Sequence, residues 1–179
     1  MSHSYSATKY LANEEKIHSF DEMPGILRKL RAKGVTSILA QGVFDIVHMG
    51  HVGYLRAAQA VDSANGIVIV GIENDESVRL NKGNTRPINT AEERSQLLSE
   101  FISVGLVFTY DDAPRYDKPQ DYIDRYKALN PASIVVPIWD PHRDLKEWQA
   151  RKAKTRLSLV NYKHVNSTTL MLQKIGYQE

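Results

Sequence analysis

Residues Gln41–Tyr54, QGVFDIVHMGHVGY, decide the fold. Just ahead of them, Val35–Ala40 (VTSILA) is a short, partly β-branched apolar run with the length of one buried strand. Gly42 ends that strand where a side chain would obstruct something. Val43, Phe44 and Asp45 then lead into His48-Met49-Gly50-His51, where a helix opens. Gly50 has no Cβ, so the backbone there can approach a ligand closely. His48 and His51, three residues apart, share one side of the helix's first turn. A helix start presents unbonded N–H groups and roughly +0.5 charge. With two imidazole donors added, the turn forms a cradle for a polyphosphate. Plainer readings of the pair are a chance surface His-x-x-His or half of a metal site. Against the latter, no third ligand stands at familiar zinc spacing and the chain has no cysteine.

Working outward, the helix carries Val52, Leu55, Ala58 and Val61 on one face and ends near Gly66. Ile67–Ile72 (IVIVGI) is continuously apolar, the pattern of a strand covered on both faces. Strand, helix and strand in this length make a βαβ unit with parallel strands, and a crevice opens at their C-terminal ends. Further strands are expected at Val104–Thr109, Ser133–Ile138 and Leu157–Val160. Helices are expected near Ser77–Leu80, from a Thr90 cap with its Glu93 capping-box partner, over Pro119–Leu129 and from His142 to about Lys154. The Pro119–Leu129 helix should bury Tyr122, Ile123, Tyr126 and Leu129, and Leu97, Leu98 and Phe101 should be core. A last helix, capped by Asn166 or Ser167, runs to Ile175 and stops at Gly176. Residues 1–15 read as a polar, loosely docked tail, and 16–34 as a leading helix. In the latter, Ser19 or Asp21 is the cap and Ile26, Leu27 and Leu30 form the apolar face. The expectation is one α/β domain over residues 1–179: a Rossmann-like, doubly wound, mainly parallel five-stranded sheet with helices on both faces.

The 179 residues suffice for one sizeable core, and 42% hydrophobic with 25% charged residues fits a globular protein. A net charge of +2 argues for neither a nucleic-acid nor a membrane partner. No apolar run approaches the ~20 residues of a membrane span, and MSHSYSATKY lacks the core of an export signal. The absence of cysteine excludes disulfide and thiol chemistry and suits a cytoplasmic enzyme.

Gly42-Val43-Phe44-Asp45 followed by His48-Met49-Gly50-His51 resembles the cytidylyltransferase-like nucleotidyltransferase superfamily, whose signature is G-x-F-D leading into H-x-G-H. Lys82, Gly83, Arg86 and Pro87 match a K-G-x-x-R-P stretch of that family, and Glu92 with Arg94 resembles its E-x-R segment. Ser167, Thr168 and Thr169 match its second signature, I-S-T-T-x-I. The likeness runs from about Lys16 to Ile175. It implies nucleoside monophosphate transfer from ATP or CTP to a phosphorylated sugar or polyol, with release of pyrophosphate. His48, His51, Lys82 and Arg86 would be catalytic. Gly42, Val43, Phe44, Asp45, Gly50, Trp139, Asp140, Ser167, Thr168 and Thr169 would bind the nucleotide. Mg²⁺ would bridge phosphate oxygens, no residue being assigned as a metal ligand, and a homodimer is implied.

Lys16–Ser19 with the helix after it, His51-Val52-Gly53-Tyr54-Leu55 and the K-G-x-x-R-P loop lean towards the heptose 1-phosphate adenylyltransferase branch, hence ATP. Glycerol 3-phosphate cytidylyltransferases, FAD synthetase-like enzymes and a nucleotide-binding module without catalysis are the other readings. Class I aminoacyl-tRNA synthetases carry a related H-x-G-H, but this chain lacks room for their other modules. Arg94 either reaches the phosphates or pairs within its helix. Asp112 is a candidate on the acceptor side. The family's glycine-rich segment before Asp140 is replaced here by Trp139, which either stacks on a base or belongs to the core. The basic stretch Arg143–Arg156 reads as a solvated face or a site for an anionic partner.

Overall fold

The computed structural model describes residues 13–112, 118–162 and 167–176. Six strands form one sheet: β1 (Ile17–Ser19), β2 (Thr36–Gly42), β3 (Gly66–Ile72), β4 (Leu106–Thr109), β5 (Ser133–Pro137) and β6 (Arg156–Val160). Their order is β1-β4-β3-β2-β5-β6 and every pairing is parallel. Among the described residues there are seven α-helices: α1 (Met23–Ala32), α2 (Met49–Gln59), α3 (Asp75–Lys82), α4 (Ala91–Ser99), α5 (Pro119–Leu129), α6 (Arg143–Lys152) and α7 (Thr168–Lys174). None of them is long and apolar enough to cross a membrane.

Two buried clusters cover the two sheet faces. Met23 and Leu27 of α1, Tyr122, Ile123, Tyr126 and Leu129 of α5, and Ala150 of α6 pack on one. Tyr54, Leu55 and Ala58 of α2 with Leu98 of α4 pack on the other. β3 is buried at all seven positions, which is why its sequence is apolar without alternation. A Cβ on Gly71 in this strand would lie 2.8 Å from Phe108 and 2.9 Å from Tyr110, so bulk is excluded there. Strands β3 and β4 lie on one side of β2, and β5 and β6 on the other. The winding therefore reverses at β2, and the crevice of a doubly wound sheet opens above its C-terminal end.

Several expectations need correction. The sheet has six strands, not five. Ile17–Ser19 pairs with β4 (Ile17↔Val107, Ser19↔Thr109) as an edge strand too short to show alternation in the sequence. The leading segment is therefore strand then helix. Neither Ser19 nor Asp21 caps α1; the Glu22 carboxylate instead accepts from the Ser19 N–H and Oγ, both at 2.9 Å. Helix α3 runs on through Lys82, where a loop was expected. Leu97 is 43% exposed and lies outside the core. His142 holds the cap position of α6, and its N–H donates to Asp140 Oδ1 at 2.8 Å. Asn166 and the tail up to residue 12 lie outside the described residues.

Candidate active site

The loop leaving β2 is built around a strained residue. Phe44 has φ +52°, a left-handed conformation that L side chains rarely adopt. Its ring lies 3.2 Å from where a Gly42 Cβ would stand, so the phenyl ring is what Gly42 makes room for. Asp45 is 1% exposed. Its carboxylate accepts from Arg86 Nε at 2.6 Å and from the N–H groups of Ile88 and Asn89 at 2.8 and 2.9 Å. Asp45 thus staples the segment between α3 and α4 onto the loop after β2, and holds the buried Arg86 guanidinium. Arg94 is fully buried. It donates to the carbonyls of Val43 (2.7 Å), Glu73 (2.8 Å) and Asn89 (3.0 Å) and pairs with Asp75 at 2.7 Å. It is therefore neither a phosphate ligand nor half of an intrahelical pair. It ties the ends of β2 and β3 to α3.

His48 caps α2 in extended conformation, and its Nδ1 accepts the Gly50 N–H at 3.1 Å. With Nδ1 an acceptor, the neutral ring carries its hydrogen on Nε2 and can donate from there. The rings of His48 and His51 stack, centroids 3.9 Å apart at 24°, and Phe44 packs against His51 at 5.0 Å. At the other end of the chain, Ser167 caps α7 by accepting from the Leu170 N–H. Thr168 Oγ1 donates to the Ile46 carbonyl at 3.4 Å, drawing α7 to the loop after β2.

These pieces meet on one cavity of about 300 Å³. Its walls include His48, Gly50, His51, Lys82, Arg86 and Ser167–Thr169, with Val43–Asp45 and Tyr162. The N-termini of α2 and α7, over a hundred residues apart, thus face the same space. Lys82 is exposed and makes no ion pair among the described residues. A second cavity shares Phe44, His51 and Tyr162 with the first and adds Gln41, Gly42, Tyr54, Val135–Pro137, Asp140 and Lys146. Asp140 sits here, paired with Lys146 at 2.6 Å. Trp139 lines neither cavity: 39% exposed, it packs its edge on Tyr162 at 4.7 Å.

The chain matches the cytidylyltransferase-like family over residues 39–175. It belongs to this family of nucleotidyltransferases. The bifunctional protein HldE of Wolinella succinogenes is 38% identical over 163 residues, 91% of this chain and 32% of that protein. HldE of Aliarcobacter butzleri is 32% identical over 178 residues, 99% of this chain and 35% of that protein. The chain thus spans about a third of the length of these curated relatives. Among solved structures, a lipopolysaccharide core biosynthesis protein from Thermoplasma volcanium aligns with TM-score 0.56 and 24% identity, over 73% of this chain and 100% of that one. Pantoate-beta-alanine ligase from Francisella tularensis aligns with TM-score 0.59 and 15% identity, over 83% and 67%. Both show the shared fold.

In this nucleotidyltransferase domain a third cavity opens on the other side of β2. It is lined by Gln41, Gly42, Val43, Glu73, Tyr122, His142, Leu145, Lys146 and Gln149. Burial pushes the Glu73 carboxyl above the usual carboxylate range, and Arg125 partly offsets the shift. Arg125 is buried, lies 3.7 Å above the Tyr110 ring, and bonds Asp112 at 2.5 Å. Asp112 is therefore the partner of Arg125. Of these residues the sequence reading found neither Glu73, Arg125, Gln41, Gln149 nor Tyr162. Only Glu73 carried a signal, as the first residue past an apolar strand. As to Mg²⁺, no group of three His, Asp or Glu side chains converges among the described residues, and both Asp45 oxygens are engaged. The donor set does not fit a resident metal.

Proposed function

We propose that this domain transfers a nucleoside monophosphate from ATP to a phosphorylated sugar or polyol. A phosphate oxygen of the acceptor bonds to the α-phosphorus in line, and the bond from that phosphorus to its bridging oxygen breaks. Pyrophosphate leaves with the electron pair. The acceptor phosphate is already an anion, so positioning and charge stabilisation are the work left to the protein. His48 donates from Nε2, with His51 stacked beside it, to oxygens around the α-phosphate. Lys82 neutralises charge on the transferring group, and Arg86 adds its guanidinium from the cavity wall. The α7 N-terminus, with the hydroxyls of Ser167 and Thr168, holds the β- and γ-phosphates. The base would lie in the second cavity between Tyr162 and the backbone of Val135–Pro137.

One observation supports this reading above the rest: two helix N-termini, two histidines and Lys82 line the same cavity. A module that only binds nucleotide has no need of that full set of donors. The choice of ATP rests on the likeness of Lys16–Ser19 and the K-G-x-x-R-P loop to the heptose 1-phosphate adenylyltransferase branch. The test is pyrophosphate release from each NTP with a panel of sugar and polyol phosphates. ATP with a sugar phosphate should give the highest kcat/KM. His51→Ala should lower kcat about 10²–10³ fold, by analogy with loss of one preorganised donor. Release by the wild type with CTP and glycerol 3-phosphate alone would move the assignment to a cytidylyltransferase. A near-normal rate in His51→Ala would remove the histidine's role.

A further inference from the structure

We infer that the third cavity seats the polyhydroxyl part of the acceptor, and that Gln149, Gln41 and Glu73 read its hydroxyl groups. This rests on the transferase reading above and adds to it which side chains choose the acceptor.

Gln149 carries the argument. It is 3% exposed, lines the cavity, and its side chain makes no hydrogen bond to any described residue. Its amide is not among the side-chain atoms sealed from solvent without a partner, so it opens onto the cavity, and amides so placed are nearly always satisfied by what they meet there. What fills the cavity is what can satisfy this one. Gln41 is the complement. Tyr110 donates to its Oε1 at 3.2 Å, and its Nε2 donates to Tyr126 Oη at 2.7 Å. Both tyrosines are fully buried, so the amide is held in one orientation with its second N–H still to give. Glu73 supplies an acceptor. Ser77 Oγ donates to one carboxylate oxygen at 2.9 Å, and Arg125 stands 3.9 Å from the other. Each carboxylate oxygen has further lone pairs for an incoming O–H.

The charges say what kind of molecule fits. Glu73 and Lys146, of opposite sign, are the acidic side chain and the lysine that line it, so neither sign is in excess on the wall. Among the described residues Tyr122 is the one Phe, Tyr or Trp lining the cavity, too few for the cage that selects a quaternary ammonium. Amide donors, amide acceptors and a carboxylate around a neutral space suit a hydroxyl-rich, uncharged body. The location agrees. Val43 borders both this cavity and the one lined by the histidines. An acceptor with its phosphate beside His48 and His51 would extend its carbon chain past Val43 to Gln149.

The test is calorimetric binding of hexose and heptose 1-phosphates and of phosphocholine. It uses the full chain in the presence of α,β-methylene-ATP, with Gln149→Leu and Glu73→Gln as variants. Gln149→Leu removes no hydrogen bond of the folded protein, and Glu73→Gln keeps the shape and the Ser77 contact. Thermal melts matching the wild type verify that both are folded. Sugar phosphates should bind more tightly than phosphocholine. Each variant should weaken the best sugar phosphate at least tenfold while the affinity for the ATP analogue stays within twofold. Equal sugar-phosphate affinity in wild type and both variants, no sugar-phosphate binding by the wild type, or a preference for phosphocholine would each overturn the assignment. Pyrophosphate release is measured in parallel. Sugar-phosphate binding that depends on Gln149, without turnover, would sink the transferase reading and leave this cavity's role standing.

Discussion

Asp45 lies one residue from the most strained backbone of the site and is almost entirely out of water. Its two oxygens meet one guanidinium and two backbone N–H groups, so its charge is answered locally. Removing one member of a buried ion pair leaves the other uncompensated, typically at about 3–5 kcal/mol. Asp45→Ala should therefore lower unfolding stability by about that amount, read as a fall in the urea midpoint. Asp45→Asn, which keeps the shape and an acceptor oxygen, should fall by less. If Asp45→Ala unfolds at the wild-type midpoint, the staple is not what holds the segment before α4. That Asp45 and Arg86 line one cavity with the two histidines was legible from their motifs. That they bind each other was not, because they are 41 residues apart and sit in loops whose relative placement no periodicity fixes. Arg94 was singled out, but its role was hidden for the same reason: its partners come from three separate segments.

At the scale of elements, local chemistry was legible wherever a short-range rule governs it. The Thr90-x-x-Glu93 capping box closes in both directions: Thr90 Oγ1 accepts the Glu93 N–H at 3.2 Å, and Glu93 accepts the Thr90 N–H at 2.8 Å. Thr90→Ala should cost about 1 kcal/mol at neutral pH. The bond from the Thr90 N–H, with a second from its hydroxyl, holds the Glu93 carboxyl below its ordinary range. A carboxyl depressed in the folded state stabilises above its unfolded pKa of about 4.3 and loses that contribution as pH falls through the folded value. The difference between wild type and Thr90→Ala in denaturant melts should therefore narrow below about pH 4. A constant difference would show that Glu93 is not the partner that matters. Where elements depend on distant pairing the sequence says less. β1 is three residues long and exists because β4 offers an edge. β3, by contrast, declares itself by seven buried positions in a row.

For the whole molecule, the parallel sheet and the crevice over β2 followed from one βαβ unit. The third cavity did not, because it is assembled from β2, β3, α5 and α6. The joining of α2 to α7 lies between these cases, legible only because both helix starts match motifs of one family. It also has a mechanical consequence. Leu172 is the buried side chain of α7, while Leu170 and Ile175 are 47% and 77% exposed. A helix with so little buried apolar surface belongs to the low-stability end of the fold. A triphosphate spanning His48, His51 and Ser167–Thr168 would fasten it. At 100 times Kd a bound ligand adds about 2.7 kcal/mol, and 1 kcal/mol shifts Tm by about 2–4 °C in a domain of this size. ATP at that excess should thus raise Tm by about 5–10 °C and slow amide exchange in α7 more than in β3. Thr168→Val should shrink the Tm shift and abolish the added protection in α7 while leaving the unliganded melt nearly unchanged. An undiminished shift in Thr168→Val, or protection confined to α2, would mean that nucleotide binds one helix start rather than both.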